Sequence, residues 1–373
     1  MTRILFLVSH PIGAWKNGAD LAALQLATQL AAGGDQVGFA AVLLAAEPAL
    51  STWRARLARG ELGVDAATLD LEVIDLPPPP HPRAVAPELA AATATAVARV
   101  IARAAPDVVI VPWGTVALAR HARATHPRVV LLVQNGAAAG RLAAAEVHGL
   151  ALATVSPDVA ERLAARLGRP AQVILNPIAA PPRVDGPPGA RVGMVNFCAE
   201  KGALVFLNVA ANLPATEFVA TGGWAGRAAD YPRMTTGLPN LTIVPATDDM
   251  AGFYRDLAML LVPSLVDEAF ARVVIEAQLA GVPVVCTSRC PARRWSGGLV
   301  VDAPPRDDEG SDDDLHDAER HAPVIRGFLD AVVTLADPAN HAIAVASARA
   351  AGAAYLDAQR RSLAEFVAWL AAP

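Results

Sequence analysis

Residues 263–281 read P-S-L-V-D-E-A-F-A-R-V-V-I-E-A-Q-L-A-G and set two carboxylates, Glu268 and Glu276, across a short loop and the start of a helix. The apolar run Met259 to Val262 predicts a strand that turns at Pro263 and Ser264. Val273, Val274, Ile275, Ala277 and Leu279 then predict a helix buried on most sides and stopped at Gly281. One acid thus stands at the mouth of a helix N-terminus, where backbone N–H groups lack helical partners and attract anions. The other lies about one or two turns inside. Acids beside an anion site suit a ligand that carries both phosphate and sugar hydroxyls: N–H groups hold the phosphate, and the carboxylates accept hydrogen bonds from the hydroxyls. Solvated acids at a helix start would produce the same pair.

Outward from this segment, short apolar runs alternate with helical patterns. Ile4 to Val8, Val37 to Leu44, Leu71 to Leu76, Asp107 to Val111, Val129 to Val133 and Gly149 to Ser156 read as strands of a first parallel sheet. Val192 to Asn196, Thr216 to Ala220, Leu241 to Val244, Met259 to Val262, Val282 to Cys286 and Gly298 to Val301 repeat the pattern. Helices are expected from about Ala19 to Ala32, with Leu21, Leu24, Leu26 and Leu30 inward, and from Val85 to Ala104, with Leu89, Val97, Val100 and Ile101 inward. The prolines at 77–80 predict an extended loop, and the Pro/Gly-rich run Pro177 to Gly189 predicts a linker. At 373 residues the chain suits two α/β domains of about 180 residues each.

With Pro283-Val284-Val285 as the next strand, residues 263–285 resemble the E-x7-E signature of family 4 retaining glycosyltransferases of the GT-B fold. Further residues carry the resemblance. Lys201-Gly202 matches half of an R-x4-K-G pattern. Asn17-Gly18-Ala19-Asp20, Leu26-Ala27, Leu30 and Gly34-Asp35-Gln36-Val37 match the family's opening, and Val173 to Ile178 matches an element before the linker. The resemblance implies two facing Rossmann-like domains with parallel sheets, a cleft at the carboxyl ends of their strands, and a C-terminal helix crossing back to the first domain. The domains would be 1–180 with about 355–373, binding acceptor, and 190–354, binding nucleotide sugar. Leu363, Phe366, Val367 and Leu370 form the expected inner face of the last helix.

The resemblance also assigns roles. Glu268 would contact the donor sugar and, with Lys201, act in catalysis. Glu276 would hold the ribose, and Val244 ends the strand that touches the base. Gly18, Asn196, Lys201, Ala269, Phe270, Ala271 and Arg272 would line the donor site, with His10 and Gln134 on the acceptor and sugar side. The implied activity is transfer of a sugar from a UDP-, GDP- or dTDP-linked donor to a hydroxyl of a small molecule or glycan, with retention of configuration (EC 2.4). The leaving diphosphate would take the acceptor's proton, and no metal or other cofactor would be needed. A catalytically silent GT-B binding partner and a nucleotide-sugar epimerase are the alternatives.

Lysine usage supports the assignment of Lys201: Lys16 and Lys201 are the only lysines among 31 basic residues. In so arginine-rich a chain, a surviving lysine marks a place for a compact, rotatable ammonium. Lys16 has no counterpart in the family pattern and reads as part of a helix-start turn.

Four departures stand against the pattern. Asn196 occupies the arginine position, leaving Arg272 as a candidate compensating cation; Gln134 replaces a histidine; Ala271 replaces a glycine; and Cys290 to Arg294 replaces a Gly-Gly-x-x-Glu loop. Each fits altered specificity or lost activity.

Composition bounds the rest. No apolar run is long enough to span a bilayer, and the N-terminus reads as a buried strand. Three cysteines without metal-ligand spacing fit a reducing cytoplasm. A net charge of −5 without a basic tract argues against nucleic acid. The acids at 307–309 and 312–314 read as a solvated insertion, and Ser156 as a helix N-cap.

Overall fold

The computed structural model describes residues 1–12, 17–45, 50–59, 69–76, 87–179, 189–222, 235–247, 249–304 and 312–372. They form two units, Met1–Pro177 with Arg361–Pro373 and Ile178–Arg360. Lys16, the prolines at 77–80, most of the 177–189 linker and the acids at 307–309 lie outside the described residues.

The first unit is built on seven strands: β1 (Arg3–Val8), β2 (Gln36–Leu44), β3 (Leu69–Ile74), β4 (Val108–Val111), β5 (Val129–Val133), β6 (Ala151–Thr154) and β7 (Gln172–Val173). Every pairing is parallel and the order is β3-β2-β1-β4-β5-β6-β7. β1, β4 and β5 are buried almost throughout, as strands covered on both faces must be. The chain order reverses direction between β1 and β4, which opens a crevice at their carboxyl ends.

The second unit carries β8 (Arg191–Phe197), β9 (Phe218–Gly222), β10 (Leu241–Val244), β11 (Leu257–Val262), β12 (Val284–Thr287) and β13 (Leu299–Val301). All are parallel, in the order β10-β9-β8-β11-β12-β13, with the reversal between β8 and β11. Phe206 and Phe328, from the helices Ala203–Asn212 and Ala322–Ala336, are fully buried against strand residues such as Phe218, Leu261 and Val285. Each aromatic so buried contributes about 1.5–3 kcal/mol.

The long helix Pro338–Ala371 runs from the second unit into the first. In the first unit Ser362 Oγ accepts from Leu175 N at 2.9 Å and donates to Val173 O at 3.3 Å. Arg128 donates to the carbonyl of Trp369 at 3.0 Å.

Several expected details shift. β6 is shorter than Gly149–Ser156, because Ser156 caps the helix Pro157–Leu167 by accepting from Val159 N at 3.3 Å. β3 starts and ends two residues earlier than expected, in register with β2. β7 was not anticipated, being only two residues long. Leu21 is 44% exposed, since Ala22, Ala23, Leu26, Ala27 and Leu30 already fill the inner face of Gly18–Ala32. Val367 is exposed and Leu363 half-buried; Ser362, Phe366 and Leu370 form the buried stripe, at four-residue steps. Among the described residues no helix is long and apolar enough to cross a membrane.

Candidate functional site

Lys201 sits on the turn after β8, and residues 263–271 follow β11, the neighbouring strand, so both lie at the reversal point of the second sheet. Gly202 adopts φ +85°, and a Cβ there would fall 2.0 Å from the carbonyl oxygen of Pro263. Only glycine permits that conformation and that approach, and the approach brings the two turns together. Leu265 N donates to Glu200 O at 3.0 Å across the same seam.

The convergence puts Lys201 Nζ 2.5 Å from Glu268 Oε1. Ser264, buried two residues past the end of β11, donates its hydroxyl to the same Oε1 at 2.5 Å. Burial works against the charge of Lys201, but the Glu268 carboxylate outweighs it and holds the ammonium above its ordinary pKa. The loop is fixed from the other side as well. Thr287 Oγ1 donates to Ser264 O at 2.8 Å, Glu268 N to Arg289 O at 3.3 Å, and Ala292 N to Phe270 O at 2.9 Å. Arg289, itself buried, bonds Asp267 Oδ1 at 2.6 Å.

Glu276 lies one turn into the helix Arg272–Leu279. Its Oε1 is 3.3 Å from Arg272 Nη2, and its Oε2 accepts from the Tyr254 hydroxyl at 3.2 Å. Burial, and next the Glu276 carboxylate, push the Tyr254 phenol well above its usual pKa, so it stays a donor. Arg272 therefore turns its guanidinium to Glu276, and its charge is already matched there.

The other residues implied for the donor site take different positions. Ala271 precedes the helix at φ +70°, a left-handed conformation that a glycine would adopt without strain. Ala269 is half-buried. Phe270 is buried, its ring 5.8 Å from that of Trp295 and 5.4 Å from that of Tyr355 and its carbonyl bonded by Ala292 N. Asn196 lies in a register shift of β8 at φ +63° and donates its backbone N–H to Thr221 Oγ1 at 3.1 Å. Its enclosed Oδ1 has no partner among the described residues. Val244 ends β10 at the sheet edge, with β9 between it and β8.

A second cluster occupies the reversal point of the first sheet. His10 follows β1, and its Nε2 lies 2.7 Å from Asp20 Oδ1. Asp20 is 1% exposed, and the same oxygen accepts from Trp113 Nε1 at 3.0 Å. Trp113 follows β4 at φ +69°. Gln134, after β5, accepts from Trp113 N at 3.1 Å through Oε1 and donates to Ala19 O at 3.3 Å through Nε2. Gly18 opens the helix Gly18–Ala32, whose first turn is capped by Asn17 Oδ1 accepting from Ala19 N and Asp20 N. His10 and Gln134 are thus joined through Asp20 and Trp113.

Cys198, Cys286 and Cys290 are all free and buried. Burial first pushes the thiols of Cys198 and Cys286 up to about 12, and that of Cys290 well up. Asp314 pairs with Arg320 at 3.2 Å.

Sequence reasoning missed Ser264, Tyr254, Asp267, Arg289 and Trp113 as members of these clusters. Ser264 alone carried a signal, a hydroxyl in the turn four residues before a motif acid.

Residues 190–312 match the family described as glycosyl transferases group 1. The match lies wholly within the second unit. The whole chain shares the GT-B fold with solved structures. It superposes on Anabaena Alr3699/HepE, solved in complex with UDP and glucose, with TM-score 0.69 at 14% identity, covering 99% of this chain and 100% of that one. Sucrose-phosphate synthase of Thermosynechococcus elongatus gives 0.67 at 16% identity, over 99% of both chains. TarM gives 0.69 at 8% identity, over 100% of this chain and 99% of that one. No curated protein sequence matches the chain. Lys201, Ser264, Asp267, Glu268 and Arg289 follow the carboxyl ends of β8, β11 and β12, whereas Tyr254 precedes β11 and reaches Glu276 from there.

Proposed function

We propose that the chain is a retaining glycosyltransferase that moves a sugar from a nucleoside-diphosphate sugar to a hydroxyl of a small-molecule or glycan acceptor. The observation that carries this reading is the convergence of Lys201 and Glu268 at 2.5 Å at the reversal point of the unit that matches group 1 glycosyl transferases. A similar fold binds UDP and glucose in Alr3699/HepE, which supports a nucleoside-diphosphate sugar as donor.

In this account Lys201 meets the diphosphate, Glu268 accepts hydrogen bonds from the sugar, and Glu276 accepts them from the ribose. The anomeric carbon loses its bond to the phosphate oxygen and gains one to the acceptor oxygen, while the acceptor's proton passes to the leaving phosphate. Lys201 stabilises the charge that grows on that phosphate, and positioning supplies the rest. His10 and Gln134 belong to the acceptor side, as parts of the cluster built on Asp20 and Trp113.

The test is to incubate the purified protein with UDP-, GDP- and dTDP-sugars and follow the released or transferred sugar by proton NMR. An α-linked donor should give the α-anomer first. Release of the β-anomer first would remove the retaining assignment, and nucleotide binding without turnover would leave a binding partner on the same fold.

A further inference from the structure

Both motif carboxylates are held by one cation and one hydroxyl, but the donors are distributed differently. At Glu276 they are divided, with Arg272 on Oε1 and Tyr254 on Oε2. At Glu268 they coincide, with Lys201 and Ser264 both at 2.5 Å from Oε1. Glu268 Oε2 has no partner among the described residues, although the side chain is only 12% exposed.

Ser264 is fully buried, and its carbonyl is occupied by Thr287 Oγ1 at 2.8 Å. A hydroxyl has one proton to give. The contact from Ser264 Oγ to Glu200 O is 3.5 Å, much longer than that to Glu268 Oε1, so the proton goes to the carboxylate. Lys201 alone could hold either oxygen of Glu268, because an ammonium is a point charge on a flexible stem. Ser264 lies two residues past the end of β11, held there by the bond from Thr287 Oγ1 to its carbonyl, and selects one.

We propose that Ser264 is a positioning residue which, together with Lys201, saturates Glu268 Oε1 and reserves Oε2 as the acceptor for hydroxyls of the donor sugar. The proposal rests on the donor-site reading above. It gives the serine of the P-S turn a task distinct from that of the two acids: Ser264 touches no ligand and acts through Glu268. Its signature is therefore a loss of discrimination for the sugar, with nucleotide affinity kept.

The experiment is calorimetry on the full chain with matched pairs: UDP and UDP-glucose, GDP and GDP-mannose, dTDP and dTDP-glucose. The quantity read is the gain in affinity that the sugar brings, for whichever pair the wild type binds. Ser264→Ala should lower that gain about tenfold, the scale of one charged hydrogen bond, while the nucleoside diphosphate itself changes less than about twofold. Ser264→Cys, which keeps the volume but donates weakly, should behave like Ser264→Ala and keeps the test open if the alanine variant fails to fold. Equal losses for both members of a pair, no loss in either, or a wild type in which the sugar adds no affinity would overturn the assignment. If the wild type binds none of the three nucleotides, the donor-site reading falls and this one with it.

Discussion

Lys201 Nζ lies 2.5 Å from Glu268 Oε1, so the only lysine of the second unit is already matched to a carboxylate. Arg272 is matched to Glu276 and Arg289 to Asp267 in the same way. With Asn196 in place of a further cation, a diphosphate arriving here meets one ammonium and one carboxylate side by side. Glu268→Gln should therefore tighten binding of a nucleoside diphosphate by about 1–2 kcal/mol, a fraction of the ~4 kcal/mol Coulomb energy of a near-surface pair at ~4 Å. The same variant should lose sugar transfer. Calorimetry with UDP, GDP and dTDP beside a transfer assay checks both, and weaker nucleotide binding would speak against a phosphate at Lys201.

Glu276→Ala should weaken nucleotide binding by about 1.5–3 kcal/mol, the worth of charged hydrogen bonds to ribose hydroxyls. Its partner Tyr254 adds a pH dependence. Because the folded phenol has a raised pKa, it keeps its proton where the unfolded phenol, near pH ~10, gives it up. That contribution to stability is complete below pH ~10 and is lost as pH rises through the folded pKa, at up to about 1.4 kcal/mol per pH unit. Urea unfolding between about pH 8 and about pH 11 should show a shallower decline for Tyr254→Phe than for the wild type. Parallel declines would mean that Tyr254 is not buried as a donor to Glu276.

Ala271 and Asn196 both hold positive φ, 70° and 63°. An alanine in that region carries about 1–2 kcal/mol of strain, whereas asparagine tolerates it better. Ala271→Gly should raise stability by up to about 1 kcal/mol, after the greater chain entropy of glycine is subtracted. Asn196→Arg should lower stability by a similar amount even if it tightens nucleotide binding. Thermal unfolding of the two variants reads opposite shifts; shifts of the same sign would contradict the strain account.

Asp20 holds two donors on one oxygen, His10 Nε2 and Trp113 Nε1. Asp20→Ala should cost about 2–4 kcal/mol, because it strands buried donors, and Asp20→Asn should cost less, because it keeps an acceptor. Urea unfolding of both variants gives the comparison, and equal costs would assign the effect to charge alone.

The fold was largely legible because its strands are buried on both faces. Val129–Val133 and Leu241–Val244 can be read to the residue as apolar runs between polar or proline-bearing breaks. The helix faces were less clear in so alanine-rich a chain: alanines fill the inner face of Gly18–Ala32, and Leu21 is left outside. At the candidate site, Lys201 and Glu268 stand in strand-to-helix turns and Glu276 one turn into the helix that follows, positions that the motif spacing marks in the sequence. Tyr254 was not, since it meets Glu276 from 22 residues away with no periodic cue. Trp113 reaches Asp20 across 93 residues, and only the folded sheet brings them together.

The most direct test of the central claim is calorimetric binding of UDP, GDP and dTDP to the wild type and to the Lys201→Ala/Glu276→Ala double variant. The account predicts that at least one nucleotide binds the wild type and that the double variant, still folded by circular dichroism, loses at least about 3 kcal/mol of that affinity. Equal binding to both proteins, or binding of none of the three to the wild type, would contradict a nucleoside-diphosphate site at Lys201, Glu268 and Glu276.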